Sequence, residues 1–377
     1  MNMYIEHLNC VDLFSGAGGF SLGAIQAGFT VKLAIEYNKN AVQTYKHNLG
    51  RDEQSPIIFG ADITTLSPEA IKADVYQPDE VCDLLLGGPP CQGFSTHRIK
   101  GAGVNDPRNN LILTYFSFVR EFRPSFFLME NVPGMLWPRH SDYLEAFYKE
   151  GQDAGYTVFP PAVLDACDFG IGQRRKRVFI LGVANDLDAN LSWPPLPTHG
   201  NAKARLTNPH LKQWENCSYA FSPADKGDEN DVHMKHGHDL VEAFANTPIN
   251  GGSRKDSGRM LPCHKDHDGH KDVYGRINPF EVAPTMTTAC VNPSKGRFVH
   301  PTENHGITVR QAARIQTFPD SFIFLGGLMA AGQQIGNAVP VELGRFLIDY
   351  LKPAITSARE QRVKTRKLDS LRSLLTI

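Results

Sequence analysis

Leu8-Asn9-Cys10-Val11-Asp12-Leu13-Phe14 is a largely apolar run that stops at Ser15-Gly16-Ala17-Gly18-Gly19 and resumes as the helix-like stretch Phe20 to Ala27. A buried strand, a glycine turn and a helix in that order open a doubly wound α/β sheet, because glycines let the backbone approach a ligand at the strand's carboxyl end. The spacing restricts that ligand. Gly16, Gly18 and Gly19 crowd together, and no third glycine follows at the dinucleotide offset. Asp12, just before the turn, would repel a pyrophosphate and suits a cationic or amino-bearing ligand. A glycine turn with no ligand is the alternative on this stretch alone.

Working outward, a second strand, Thr30 to Ile35, ends in Glu36 at the distance where a carboxylate accepts ribose hydroxyls. A third, Pro56 to Phe59, leads to Asp62-Ile63, a carboxylate able to receive an adenine amino group beside an aliphatic side chain that packs on the ring. A helix N-cap is the competing role for either acid. The fourth strand, Val81 to Leu86, runs into Gly87-Gly88-Pro89-Pro90-Cys91-Gln92-Gly93-Phe94-Ser95. Cys91 is the first nucleophilic side chain past that turn, although free cysteines often behave as inert hydrophobes. Residues 96–110 are polar, carry His97, Arg98, Lys100 and Arg108, and read as a cationic loop able to close on a phosphate backbone.

A helix (Leu111 to Phe122) and a strand (Phe126 to Met129) bring Glu130 to the carboxyl end of a central strand, the side on which open α/β sheets bind ligands. Strand-like Val158 to Leu164 and Arg177 to Val183 flank Gln173-Arg174-Arg175-Lys176-Arg177, where alternation puts Gln173, Arg175 and Arg177 on one face.

The 377 residues can bury a sizeable core and predict two lobes. Seven scattered cysteines argue against a disulfide framework and for a reducing compartment. No apolar run reaches membrane-span length and no signal peptide is evident, so a cytoplasmic protein without membrane attachment is expected. A formal net charge of −1 gives no global pull towards polyanions, so such a partner must be held by local basic patches. Past about Asn185 the texture turns rich in proline, asparagine, histidine and glycine, which reads as an inserted irregular lobe. Cys263, His264, His267 and His270 lie within it, but no second ligand pair at a defined distance makes them a zinc site, and no metal is expected. Helices are predicted at Thr308 to Gln316 and Val341 to Leu351, packing back on the first lobe, and the basic tail after Pro353 reads as a solvated helix.

In order along the chain, residues 12–20, 88–95, Glu130-Asn131-Val132, Gln173 to Arg177, Arg310 to Asp320 and Gly336-Asn337-Ala338-Val339-Pro340 resemble the motif blocks of the DNA cytosine-5 methyltransferases of prokaryotes. The resemblance implies a methylase-type doubly wound, mostly parallel sheet with one reversed strand, plus a smaller irregular target-recognition domain. Residues 1–190 and 326–377 would form the catalytic domain that binds S-adenosylmethionine, and 191–325 the domain that reads DNA. By matching positions, Phe14 would stack on the adenine, Glu36 hold the ribose, and Asp62 with Ile63 hold the base. Gly16, Gly18 and Gly19 would permit close approach, and Pro90, Leu111 and Asn337 would complete the pocket. Ala338 stands where many members carry serine.

The implied reaction is methyl transfer to C5 of a flipped cytosine in a specific duplex sequence. Cys91 would add to C6, Glu130 would contact N3 and the exocyclic amine, Arg175 would favour the thiolate, and Arg177 would hold O2. Ser95, Arg98 and Lys100 in the loop, with Arg254, Lys255, Arg259 and Arg276 in the second lobe, are the candidates for contact with double-stranded DNA. The resemblance also implies a monomer acting at the bacterial nucleoid, possible pairing with a cognate restriction endonuclease, and two rivals. A tRNA cytosine-5 methyltransferase would share the scaffold, although the Cys-Phe-Thr signature of that subgroup is absent here. A nucleotide-dependent oxidoreductase would use the glycine turn but leave Cys91, Glu130 and Arg177 without a role.

Overall fold

The protein is described by a computed structural model over residues 7–52, 55–89, 109–257 and 273–375. Its centre is an eight-stranded sheet made by β1 (Asn9–Leu13), β2 (Thr30–Ile35), β3 (Ile57–Phe59), β4 (Leu84–Gly87), β5 (Phe126–Asn131), β6 (Tyr156–Val158), β7 (Ala162–Asp165) and β8 (Lys176–Ala184). The order is β3-β2-β1-β4-β5-β8-β6, with β7 also on β8. Strands β3 to β5 along that order pair in parallel, whereas β8 runs antiparallel to β5, β6 and β7. This is the mostly parallel sheet with one reversed strand that the motif order implies.

The helices alternate with the strands. α1 (Gly19–Gln26), α2 (Lys39–Leu49), α3 (Pro68–Val75), α4 (Asn109–Phe122) and α5 (Ser141–Asp153) follow the early strands in turn. Local chemistry starts several of them. The Asn38 side chain accepts from the backbone N–H of Asn40 and Ala41 to cap α2, and Ser67 caps α3 ahead of Pro68 at its first position. α1 begins at Gly18, whose φ of +98° is left-handed and whose missing Cβ would meet Leu49 and Tyr45 at 2.8 and 2.9 Å.

Alternation along the strands sorts the core onto two faces. Cys10, Leu84, Leu86, Phe126, Leu128, Phe179 and Leu181 pack against α1 and the carboxyl-terminal helix. Val11, Leu13, Leu33, Leu85, Phe127, Met129 and Ile180 pack against Ile71, Tyr115, Phe116, Val119 and Phe147 of α3, α4 and α5. With both faces covered, strands of continuous apolar sequence are required rather than alternating ones.

One strand expected over Val158 to Leu164 is two. Val158 pairs with Gly182 and Ala162 with Phe179, so four steps on one side match three on the other. Pro160 and Pro161 lie in the gap, and without N–H groups they cannot continue a ladder.

The second lobe is irregular, as its composition predicts. β9 (His199–Gly200), α6 (Ala202–Thr207), β10 (Lys212–Gln213) and α7 (His238–Ala245) are its longer regular pieces, with short turns between them. α8 (Val309–Ile315), begun by a reciprocal Thr308/Gln311 capping box, and α9 (Leu328–Asn337) share a third core with Cys217, Ile277, Met286 and Val291 of this lobe and with Ala17 of the glycine turn. The helix at Val341 does not stop near Leu351. It continues through Pro353 as α10 (Val341–Leu375), because Leu343, Leu347, Leu351, Ile355 and Ala358 extend its buried stripe and Arg359 pairs with the buried Asp83.

Candidate active site

A cavity of about 820 Å³ opens at the carboxyl ends of the parallel strands. The end of β1 and its turn contribute Asp12, Phe14, Ser15, Gly16 and Ala17 to it, and the turns after β2 and β3 contribute Glu36 and Asp62 with Ile63. Gly88 and Pro89 after β4, Glu130 and Asn131 of β5, Arg177 of β8, Leu111 of α4 and Asn337 at the end of α9 complete the wall. The structure thus brings together Phe14, Gly16, Gly19, Glu36, Asp62, Ile63, Leu111 and Asn337 of the cofactor candidates. Gly18 lies behind them, at the start of α1. Pro90, Cys91, Ser95, Arg98, Lys100 and Arg259 lie outside the described residues, as do Cys263, His264, His267 and His270.

The acids are held by backbone. Glu36 accepts from the N–H of Gly16 at 2.8 Å and of Asn38 at 2.6 Å, which ties the glycine turn to the end of β2. Asp62 caps its own turn through Thr64, at 3.0 Å to the N–H and 2.8 Å to the hydroxyl, while lining the cavity. The capping role and the lining role therefore coexist in one side chain. Phe14 takes a left-handed φ of 59°, which turns its ring into the cavity wall.

Deeper in, Glu130 and Arg177 form an ion pair with Arg177 Nε 2.9 Å from Oε1, both side chains only about a tenth exposed. A Cβ on Gly88 would sit 3.5 Å from the other oxygen of Glu130, so the pair lies against the turn that leads, three residues on, to Cys91. Asn131 steadies that turn. Its amide donates to the Pro89 carbonyl at 3.3 Å and its oxygen accepts from the Val132 N–H at 2.9 Å. Burial raises the pKa of Glu130, and the nearby guanidinium groups of Arg177 and Arg175 pull it back. Asp12 is affected more, pushed up to about 7 by burial against the opposing hydrogen bonds of Ser21, with Glu36 adding to the rise.

Arg175 sits beside this pair but is committed elsewhere. Its guanidinium donates to the carbonyls of Met286 at 2.8 Å, Gly336 at 2.7 Å and Ala338 at 2.8 Å, with the side chain fully buried. Gln173 bonds in the same way to Ile315 and Gln316, and accepts from the Met286 N–H. Both therefore stitch the second lobe to the wall of the cavity. In the second lobe Arg276 is a scaffold residue rather than a surface one. It is 1% exposed, and it donates to the carbonyls of Phe244, Thr247, His300 and Glu303 and to the Asn304 side chain. Arg254 is buried as well, whereas Lys255 is exposed. Asp12, read from the sequence as suited to a cationic ligand, is part of the wall, and so is Asn131, which motif reading left without a role; the signal for both was a polar residue at the carboxyl end of an apolar strand. Among the described residues no group of three or more His, Cys, Asp or Glu side chains could hold a metal ion, and no helix is long and apolar enough to cross a membrane.

A doubly wound sheet with one reversed strand, an acid-lined cavity at its carboxyl edge and a buried acid–guanidinium pair beside Gly88 define an α/β enzyme that holds its ligand at the carboxyl ends of the strands. The model of the C-5 cytosine-specific DNA methylase family matches residues 8–352, and the chain belongs to that family. It is 33% identical to the type II methyltransferase M.DdeI of Desulfomicrobium norvegicum, over 91% of this chain and 88% of that one. It is 31% identical to M.FnuDI of Fusobacterium nucleatum, over 96% and 98%. A solved prophage-encoded chain from E. coli, described as a DNA modification methyltransferase, superposes with a TM-score of 0.70 at 26% identity, covering 92% of this chain and 99% of its own. The Dnmt2 methyltransferase of S. pombe shares the fold at a TM-score of 0.59 and 18% identity, covering 92% and 99%. The protein is a DNA cytosine-5-methyltransferase.

Proposed function

We propose that the chain methylates C5 of a flipped cytosine within one duplex sequence, with S-adenosylmethionine as donor and a Cys91–C6 adduct as intermediate. The observation that carries this reading is the buried Glu130–Arg177 pair against Gly88, an acid and a cation meeting at the turn that precedes Cys91. The cavity fits the cofactor in chemistry. Among the described residues it offers Asp12, Glu36 and Asp62 for a ligand with a cationic end and ribose hydroxyls, Phe14 and Ile63 for the base, and no lysine. When bound, S-adenosylmethionine supplies a methyl group made electrophilic by the sulfonium.

The chain's own residues do the rest. The Cys91 thiolate adds to C6, which turns an unreactive C5 into an enamine carbon. Glu130 holds N3 and the exocyclic amine and shares the proton that stabilises the adduct, while Arg177 faces O2, where negative charge collects. After transfer the C5 proton leaves to a base and the thiolate is expelled. Because C6 is shielded in a stacked duplex, the cytosine must leave the helix, and the 96–110 loop with Ser95, Arg98 and Lys100 would close behind it.

We assign residues 1–190 and 326–377 to catalysis and 191–325 to target recognition, with Lys255 and Arg259 as candidates for DNA contact. Arg254 and Arg276 are better read as support for that lobe. The enzyme would act as a monomer in the cytoplasm at the nucleoid, alongside a cognate endonuclease.

The test is a methyl-transfer assay with base-resolution sequencing of duplex DNA exposed to the wild type and to Cys91→Ala. The expected result is C5 methylation at one sequence by the wild type and none by the variant. Full transfer by Cys91→Ala would refute the adduct, and transfer to tRNA but not to duplex DNA would refute the substrate.

A further inference from the structure

The second lobe gathers four imidazoles that the catalytic reading leaves unused. His233 and His305 stack face to face, with ring centroids 3.8 Å apart and planes at 6°, and His300 lies 5.3 Å from His305. Hydrogen bonds fix where their protons are. His233 and His305 donate from Nδ1 to the carbonyls of Met234 and Gly306, at 2.9 and 2.7 Å, because a carbonyl can only accept. His236 Nε2 accepts from the Gly306 N–H at 3.3 Å. His300 Nδ1 accepts twice, from the backbone N–H of Thr302 at 3.2 Å and of Glu303 at 2.9 Å.

A side chain that accepts from the N–H groups two and three residues on is ordinarily asparagine, aspartate or serine, as Asn38 does for Asn40 and Ala41 in this chain. An imidazole in that role differs in one respect. A proton on Nδ1 removes the acceptor and aims a third N–H at the other two.

The turn so held is the anchorage of Arg276. That buried guanidinium donates to the His300 carbonyl at 2.8 Å, the Glu303 carbonyl at 2.6 Å and Asn304 Oδ1 at 2.7 Å, and its other bonds reach Phe244 and Thr247. The Pro301 carbonyl accepts from the Asn250 N–H at 3.0 Å. Segments 244–250, 276 and 300–304 therefore meet at this one turn. The groups facing His300 are Arg276, His233 and His305; Glu303 and Asp231 face His305, and His236 faces the stacked pair.

We infer that the His300 turn is an acid-sensitive latch of the second lobe: the neutral ring holds the acceptors of Arg276 in place, and protonation of Nδ1 from solvent loosens the lobe and weakens its hold on DNA. The part about DNA rests on the assignment of this lobe above, whereas the latch rests on the turn alone.

The sign agrees with the geometry. Burial, then His305, Arg276 and His233, push His300 down from the usual 6.5 to about 4. Above pH 6.5 the ring is neutral in the closed and the open lobe alike, so the latch holds in full. Below it the open lobe takes up a proton that the closed one refuses, and closure weakens by up to about tenfold per pH unit until the closed ring itself is protonated. Histidines that touch phosphate would act oppositely, strengthening DNA binding in acid.

Amide hydrogen exchange of the full-length protein at pH 7.5 and 5.5, corrected for the intrinsic pH dependence of exchange, reads closure in peptides spanning 273–278 and 298–306. Their protection is expected to fall about tenfold at pH 5.5 while that of β4 and β5 holds. His300→Asn keeps an acceptor for both N–H groups and cannot be protonated, so it should show no such fall. Equal wild-type protection at the two pH values overturns the latch, and so does an equal fall in His300→Asn. Affinity for sheared genomic duplex DNA, measured on both proteins, should weaken at pH 5.5 in the wild type relative to His300→Asn. A lobe that loosens with no such difference overturns the link to DNA and, with it, the assignment of this lobe. Should His300→Asn fail to fold, histidine 15N NMR of the wild type decides: one ring keeping a bare Nδ1 down to pH 5.5 supports the latch, and every ring titrating near 6.5 overturns it.

Discussion

Glu130 meets two opposing demands. Burial at the end of β5 raises its pKa, and the Arg177 guanidinium 2.9 Å away, with Arg175 beyond it, holds the rise in check. A carboxyl group whose pKa is raised by burial gives a proton to the adduct and takes it back more readily than one held fully ionised. Glu130→Gln keeps the shape and loses the exchangeable acid, so a fall in kcat of about 10²- to 10⁴-fold is expected with DNA affinity retained. Arg177→Met removes the main cation from the pair. The remaining carboxyl is then protonated more readily, so the descending limb of the pH–rate profile, set by loss of the proton from Glu130, should move to higher pH as the rate drops about 10²-fold or more. A limb that stays put in Arg177→Met would mean that the pair is not the titrating unit.

Between elements, one tight point is where α9 ends against the second lobe. A Cβ at Gly336 would stand 2.2 to 2.3 Å from the backbone of Thr287 and Thr288, and the Gly336 carbonyl is held by Arg175 at 2.7 Å. Backbone cannot rotate away as a side-chain tip can, so Gly336→Ala must part the segment around Met286 from the cavity wall. A loss of about 1–3 kcal/mol is expected in urea denaturation, together with weaker cofactor binding because Asn337 lines the cavity. An unchanged denaturation midpoint would show that the seam yields freely. This seam also marks where reading the sequence stopped. Glu130, Arg177 and the glycine turn were legible because polar residues at the ends of apolar strands stand out. Arg175 and Arg276 were not, since their partners are carbonyls, which every residue carries, on segments 111 and 161 positions away for Arg175. The broken strand at Pro160-Pro161 could have been read, as two missing donors cannot sustain a ladder.

Over the whole molecule the sheet has two ends with different work. The cavity occupies the carboxyl ends of the strands, and at the opposite end Asp83, just before β4, is paired with Arg359 of α10. The tail was expected to be solvated because six of its residues are basic, but Arg359, Arg362 and Arg366 reach back to Asp83, to the Arg123 carbonyl with Asp186, and to the Asp79 carbonyl. A charge run says nothing of the acceptors it will meet. Asp83 has a pKa raised from 3.8 to about 6, mainly by burial and against the pull of Arg359. A carboxyl group with a raised folded value favours the native state most below its unfolded value, and that contribution is lost as pH climbs through 6. Arg359→Met removes the ion-pair partner, so the carboxyl rises further and the buried anion demanded at high pH keeps only the Asn9 N–H and the more distant charge of Arg362. The variant should lose about 3–5 kcal/mol at pH 8 and clearly less at pH 5, measured by urea denaturation at both values. Its affinity for S-adenosylmethionine should match the wild type, since the pair lies at the amino end of β4, across its length from the cavity. A deficit equal at the two pH values would mean that Arg359 acts through packing of its stem rather than through its charge.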